Sequence, residues 1–564
     1  MIKGQGHAPS GGHIVIIAIF AMIVGLSGLL TVPPLDRDES RFIQATTQMI
    51  ETGDYVRIKY QDTERNKKPV GIYWLQAVSV QTLADLEDRP LWAFRLPSLI
   101  GVMLAASFTY VAGCYLFGRS AGFISAVLLA AAPVLAGEGS IAKTDAMLLA
   151  TVCGMQAALA RLITAPPDTK LLKTAIGFWV AIGVGILIKG PITPMIGFFT
   201  LAGLSLWHLR EGQGWAWLSR LRPVMGVVIL VALVAPWAVA IGITTEGRFF
   251  TDAIGTDMLG KITTGQERHG GPIGYHFVVL WLMFWPAALF IPSAVRFAAP
   301  RWKDGAILFC LAWLIPSWLV FEISSTKLPH YTMVLYPSLA LLVGAWLTAA
   351  PKLDFPWMRF MGAGLYLIVG TVAAALIVYL ASEYSTEGVY VWHFLASGLL
   401  FMLTLVAAIF SIQKKGVMAL NVAALGSGAF AWITFEGVLP SLDHLALTPR
   451  LAQMLDEHEA HPLRDDTGPI ALVGYHEPSA VFTLGTDTRL LRPEEAAIWM
   501  IAAEGRAVVA RECLDSQKGE ECPADPFLAA LPETAEPYRV AFIDGFNYSN
   551  NTPTRLSLYR LRSQ

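Results

Sequence analysis

Apolar stretches long enough to cross a bilayer recur along this chain, and they constrain its fold before any motif is read. A spanning helix needs roughly 17 to 25 mostly apolar residues, because it must carry its hydrogen bonds internally across the hydrocarbon core. About thirteen windows meet that length, near 13–32, 92–116, 121–137, 141–162, 173–189, 191–208, 223–243, 274–296, 305–323, 331–349, 359–381, 391–411 and 416–435. Only 15% of the 564 residues are charged, against ~25% in soluble domains. The expectation is a polytopic α-helical membrane protein. A net charge of −2 gives no footprint for nucleic acid. The first apolar run follows Lys3 and lacks a small-residue cleavage site, so it reads as an uncleaved anchor.

Two long connections interrupt the spans, at 33–91 and 244–273, and residues 437–564 form a polar tail. The chain therefore divides into a transmembrane region, 1–436, and a soluble one, 437–564. In the tail, strand-like "PIALVGY", "RAVVARE", "RVAFIDGF" and "RLSLYRL" alternate with helical "RLAQMLDEHEA" and "PEEAAIWMIAAE". That alternation predicts a small α/β layer.

Orientation follows from basic residues, which favour cytoplasmic loops. With the N-terminus inside, the inner loops hold Arg119, Arg161, Lys170, Lys173, Arg210, Arg220, Arg222, Arg296, Arg301, Lys303, Lys352, Arg359, Lys414 and Lys415. The short outer loops hold Lys143, Lys189 and Lys327. An odd span count then puts the tail outside, in the periplasm of a Gram-negative cell. Cys513 and Cys522 lie in that tail, where an oxidising compartment permits a short-loop disulfide. Cys114, Cys153 and Cys310 fall in apolar spans and read as small core hydrophobes.

The chemistry gathers on the outer side. Lys143 stands beside Asp145 in "AKTDAML", Lys189 ends "LIKGP", and Lys327 precedes His330 in "STKLPHY". Ionisable groups at membrane depth are costly and mark functional sites. The first outer loop adds the acidic "DRDE" (Asp36, Arg37, Asp38, Glu39) and the basic Arg57, Lys59, Arg65, Lys67 and Lys68. Carboxylates and cations on one face suit a phosphate-bearing lipid: cations stabilise the charge a phosphate gains on leaving. The carboxylates would organise the acceptor or a metal ion. "PVGIYWLQAVSVQTL" reads as an interfacial amphipathic element with Tyr73 and Trp74 at head-group level. Asp36 and Arg37 read as solvated loop. No P-loop, GxSxG or HExxH motif occurs, so ATP, serine-hydrolase and zinc-protease chemistry have no support.

These residues resemble the lipid-linked-sugar transferases of the 4-amino-4-deoxy-L-arabinose transferase (ArnT) and protein O-mannosyltransferase group, which share the GT-C fold. "DESRF" (Asp38, Glu39, Arg41, Phe42) resembles that group's Asp-Glu-x-Arg-aromatic motif after the first span. Gly53, Asp54, Lys59, Lys68, Pro69, Tyr73 and Trp74 continue the pattern, as do "FRLPS" with Arg95, "KTDAML", "IKGP", "TKLPHY" and the tail's "GYHEPSAVFTLG". The resemblance implies an inverting inner-membrane glycosyltransferase with a polyprenyl-phosphate sugar donor. The outer α/β domain resembles the ArnT branch, whose acceptor is a phosphate of lipid A. Catalytic roles are then expected for Asp38, Glu39 and Asp145. The donor phosphate is expected at Lys68 with Lys59 and Arg57, supported by Arg41, Arg95, Lys143, Lys189, Lys327 and His330.

One departure stands out: Lys67 occupies the place of the group's usual glutamate, and Val70 that of its second proline. A divalent metal ion is thereby left open as cofactor. The added charge makes a uronic acid an alternative to aminoarabinose as the sugar. Two further readings compete: mannosyltransferase-like transfer to Ser or Thr, and a transporter or flippase for a lipid-linked substrate. Against the transporter, the charged motifs cluster at one face and no inverted repeat is visible.

Overall fold

The computed structural model describes residues 7–166, 168–212, 214–260, 270–349, 355–465, 467–513 and 522–562. Lys352 and part of the 244–273 connection lie outside them. Among the described residues, 10 helices are long and apolar enough to cross a membrane, or 11 if one bent pair is counted as a span. Thirteen windows therefore do not give thirteen such helices, and the reasons are local. The first window yields α1 (Gly11–Gly25), of only 15 residues. The window at 121–137 bends by 63° between α5 (Arg119–Ala130) and α6 (Pro133–Gly139). Pro133 opens α6, where its missing N–H costs nothing, but the same residue cannot continue the preceding helix. The window at 274–296 breaks into Tyr275–Met283, Trp285–Ala288 and Ile291–Ala298, with Pro286 and Pro292 opening the second and third pieces.

The first outer connection is not a loop but two helices and a hairpin. Helix α2 (Asp38–Thr52) begins after Arg37, whose φ of 66° turns the chain sharply out of α1's exit. Strands β1 (Lys59–Tyr60) and β2 (Thr63–Glu64) pair antiparallel, and α3 (Gly71–Leu83) follows. Helix α3 buries Ile72, Tyr73, Ala77 and Val80 while leaving Leu75, Val78 and Leu83 exposed. That apolar outer face suits an element lying against lipid. Tyr73 itself is fully buried rather than at head-group level, because it falls on α3's inner face, against Phe42.

Two close backbone approaches set the frame for the site. Helix α4 (Leu91–Leu116) crosses α7 (Asp145–Thr164) at Gly101, where a Cβ would lie 2.7 Å from the Ala146 backbone. Small residues at such crossings let helices approach where no hydrophobic force drives them together. Gly71 meets Leu187 of α8 (Leu172–Lys189) equally closely, 2.7 Å from its carbonyl oxygen. The start of α3 is thus clamped to the end of α8. Helices α9 (Ile192–Arg210) and α10 (Pro223–Thr244) complete this side of the bundle. Helix α10 exposes Val224, Val227, Val228 and Val231, as a lipid-facing surface does.

The tail folds around a five-stranded sheet with order β4-β3-β5-β7-β6. Its strands are β3 (Ala471–Val473), β4 (Arg489–Leu491), β5 (Val508–Glu512), β6 (Pro537–Asn547) and β7 (Thr552–Leu561). Strand β3 pairs parallel with β4 and β5, while β7 runs antiparallel to β5 and β6. Apolar clusters cover both faces, as a helix-flanked α/β layer requires. Cys513 and Cys522 are joined by a disulfide.

Candidate active site

Asp38 opens α2, Asp145 opens α7 and Lys189 ends α8, so the N- and C-termini of three helices converge. They border a cavity of about 790 Å³ that runs down between α8, α10 and the helix Gly305–Ile323. Its lower walls are apolar, with Leu148, Ile186, Leu187, Val234, Trp237 and Phe321. Its upper end is cationic, with Arg41, Arg65, Lys67, Lys68, Lys143 and Lys189. Val320, Ile323, Phe250 and Ile254 border it and are exposed on the bundle surface, so the trough opens sideways. This is the shape of a site for an acyl or prenyl chain ending in an anion.

The cationic end is organised by a compact ion network. Lys189 donates to Asp145 Oδ1 at 2.6 Å, and Lys143 to Glu138 Oε1 at 3.3 Å. His330 sits between the two carboxylates, with Nδ1 3.5 Å from Glu138 and Nε2 3.6 Å from Asp145. Burial, together with Lys143, pushes His330 down to about 3, so the ring is neutral. Burial alone would lower Lys143, but Glu138, Asp145 and Asp38 outweigh it and push it up. Asp38 lines the cavity directly. Burial alone would raise it, but Lys143, Arg65, Arg41 and Lys189 together outweigh that and hold it below the usual carboxylate range. It is therefore an ionised group in a positive field.

Glu39, one residue on, faces away from the cavity into the protein. Arg95 grips it bidentately at 2.8 and 2.9 Å, and the N–H groups of Leu35 and Ala142 donate at 2.9 and 2.7 Å. Arg95 spends its remaining donors on the carbonyls of Gly28, Leu29, Val32 and Pro33. Expected as catalytic and supporting residues, Glu39 and Arg95 together fasten α1's exit to α2 and α4. Such a buried pair is tolerable only because every polar atom is satisfied.

The expected phosphate group divides likewise. Lys68 borders the cavity and donates to the Lys67 carbonyl at 3.1 Å. Arg57 is instead bound to Asp54 at 2.6 Å, and Lys59 lies in the β1–β2 hairpin; neither borders the cavity. Arg65 and Lys67, from the same basic run, do border the cavity. Lys327 donates to the carbonyls of Gly271 and Ser324 and ties the second outer connection down. Sequence reasoning misses Glu138, because "LLAAAPVLAGEG" reads as the end of a span; its spacing of five residues from Lys143 is the available signal. Tyr331, beneath the Lys189 ammonium at 5.5 Å, gives no signal beyond its place after His330.

Among the described residues, no three or more His, Cys, Asp or Glu side chains are grouped to hold a metal ion. Asp145 and one oxygen of Glu138 are taken up by the Lys189 and Lys143 ammonium groups, and Lys67 adds positive charge at the same end of the cavity.

Fold and cavity together define a polytopic α-helical membrane protein, with an apolar trough capped by cations and a small C-terminal α/β domain. Over 97% of its length it superposes with TM-score 0.73 on 98% of the crystal structure of ArnT from Cupriavidus metallidurans bound to undecaprenyl phosphate, at 19% identity. The apo form of the same protein gives TM-score 0.71 at 20% identity, covering 97% of both chains. In sequence, the chain is 25% identical over 390 residues to the undecaprenyl phosphate-alpha-4-amino-4-deoxy-L-arabinose arabinosyl transferase of Yersinia enterocolitica. The Yersinia pestis counterpart is 24% identical over 375 residues. These matches cover 67% and 64% of this chain, and they span 66% and 64% of the relatives' own lengths. Residues 67–239 match the family model of dolichyl-phosphate-mannose-protein mannosyltransferase.

Proposed function

We propose that this protein is an inverting glycosyltransferase of a bacterial inner membrane, moving a sugar from a polyprenyl-phosphate donor to a phosphate of lipid A or a related envelope lipid. The observation that carries it is the trough: about 790 Å³, apolar along its walls, open to lipid and closed by a cluster of lysines and arginines. The prenyl chain lies in the trough and its phosphate meets Lys68, Lys143 and Lys189. An acceptor phosphate oxygen attacks the anomeric carbon from the opposite face. The bond from that carbon to the donor phosphate breaks, and polyprenyl phosphate leaves with the electron pair. Cations already in place stabilise the charge it gains without reorganising.

The state of Asp38 favours an anionic acceptor over a Ser or Thr hydroxyl. A carboxylate held ionised by four cations is a poor base, whereas a hydroxyl must lose a proton. A phosphate monoester is largely ionised already, with its second pKa near ~6, so Asp38 positions groups instead. The match of residues 67–239 to a protein mannosyltransferase family keeps hydroxyl transfer as the second reading. The sugar, aminoarabinose-like or a uronic acid, sits near Lys67 and Arg65.

We also propose thirteen crossings, adding α1, the bent pair α5–α6 and the broken segment Tyr275–Ala298 to the 10 helices already long enough. The N-terminus is then cytoplasmic, and residues 437–564 form the periplasmic domain beyond a transmembrane region of 1–436. The test is reconstitution of the full chain with undecaprenyl-phosphate-linked aminoarabinose and lipid A. Glycosylated lipid A in wild type, lost in Lys68→Ala, supports the reading. Labelled peptide instead of lipid A would establish the second one, and lipid movement without transfer would make the protein a flippase.

A further inference from the structure

The loop "TVPPLDRDE" and the tail meet across a well-made junction. Asp36 Oδ1 accepts from the Ser479 N–H at 3.0 Å, and the Asp36 N–H donates to the Tyr548 hydroxyl at 2.6 Å. Gln44 donates to Thr486 at 2.8 Å, and Gln61 to the Thr488 carbonyl at 2.6 Å. Phe482 stands edge-on to Phe94. The contacts leave a second cavity between the two parts, about 300 Å³ in volume.

Its walls differ in kind from those of the trough. Arg37 and Arg41 come from the first outer connection; His476, Glu477, Asn547 and Asn550 come from the tail. The loop bearing His476 and Glu477 leaves the carboxyl end of β3, flanked by parallel β4 and β5. Open α/β sheets hold their ligands at that end of their strands. Asn547 donates to Glu477 Oε1 at 2.9 Å, which fixes both planar groups although they are almost fully buried. The Tyr60 hydroxyl lies in the field of Arg41, Asp36 and Glu477 and is buried without a hydrogen-bond partner among the described residues. Arg41 borders both cavities.

We propose that this junction cavity binds the phosphorylated saccharide of the acceptor lipid, with phosphate against Arg37 and Arg41 and sugar hydroxyls against His476, Glu477, Asn547 and Asn550. Paired guanidinium groups suit a phosphate. Rigid carboxamide and carboxylate groups suit vicinal hydroxyls, which offer donors and acceptors together. The shared Arg41 would bring the bound saccharide to the cationic end of the trough. The inference rests on the transferase reading for its consequence, though not for the binding itself.

The experiment uses the full chain in nanodiscs, with glucosamine 1-phosphate as the probe and inorganic phosphate as the control. His476→Ala/Asn550→Ala changes two exposed residues, so the fold is expected to persist; circular dichroism checks it. Two lost hydrogen bonds should weaken probe binding about tenfold in saturation-transfer NMR. In the transfer assay, KM for lipid A should rise about tenfold, with undecaprenyl phosphate binding unchanged. Unaltered probe binding in a folded variant, or a rise confined to the donor KM, overturns the proposal. Wild type that binds the probe but transfers nothing would sink the transferase reading and leave the saccharide site standing.

Discussion

Asp38 and Glu39 are consecutive carboxylates with opposite fates, because a helix turns about 100° per residue. One faces the trough among four cations; the other is sealed against Arg95. Glu39→Gln should therefore act on folding. Breaking a buried, fully bonded ion pair by removing one partner costs about 3–5 kcal/mol, so yield and thermal stability should fall steeply. Arg95→Met should behave alike. Asp38→Asn should keep the melting temperature and lower kcat, and equal losses of stability in both variants would refute the division. Lys68→Ala should cost about 10²–10³ in kcat, the usual effect of removing a charge-stabilising donor, with expression unchanged. The place of Asp145 and Lys189 at the cavity is legible in the sequence, because a charge near the end of an apolar window is costly and marks a site, whereas Lys68 stands out only through its motif. The same reading does not separate Asp38 from Glu39, since adjacency in sequence says nothing about which face of α2 is covered. Arg57 and Lys59 mislead for a related reason: a basic run looks uniform, whereas the β1–β2 hairpin turns some of its members away.

At the scale of elements, the site depends on how closely α3 and α4 approach α8 and α7. Gly71→Ala would place a methyl group 2.7 Å from the Leu187 carbonyl oxygen, and backbone cannot yield as a side chain does. The start of α3 should move off α8 and carry Lys68 away from Lys189. The expected result is weaker undecaprenyl phosphate binding at modest cost in stability, measured by titration and thermal unfolding of one preparation. Unchanged donor affinity would show that the clamp does not set the site. Apolar windows predict spans well where they are uninterrupted and poorly where proline falls inside them. Pro133, Pro286 and Pro292 each begin a new helix, and hydropathy alone does not register a change of direction.

For the molecule as a whole, the junction carries a pH dependence. Burial, with Glu477 beside it, lifts Asp36 to about 7 despite the Ser479 hydrogen bonds and Arg37. Tyr475 and Tyr548 also face it. A carboxyl group raised on folding binds its proton more tightly in the docked state. It therefore contributes stability fully at low pH, and that contribution is lost as pH rises from about 4 through about 7. Hydrogen-exchange protection across 471–485, corrected for the base-catalysed intrinsic rate, should accordingly fall over that interval and level off above it. Asp36→Asn should flatten the profile, and an unchanged profile would assign the effect elsewhere. Asp36 reads as solvated loop in the sequence because its partners lie more than 440 residues away, a pairing that composition and periodicity do not encode.

The sideways mouth of the trough has a kinetic consequence. Val320, Ile323, Phe250 and Ile254 leave it open to the hydrocarbon, so a prenyl chain can enter and leave without passing through water. The quantity governing encounter is then the donor's mole fraction in the membrane, not its amount per volume of suspension. Adding inert phospholipid at fixed enzyme and donor should slow turnover by surface dilution. Adding buffer to the same vesicles should not.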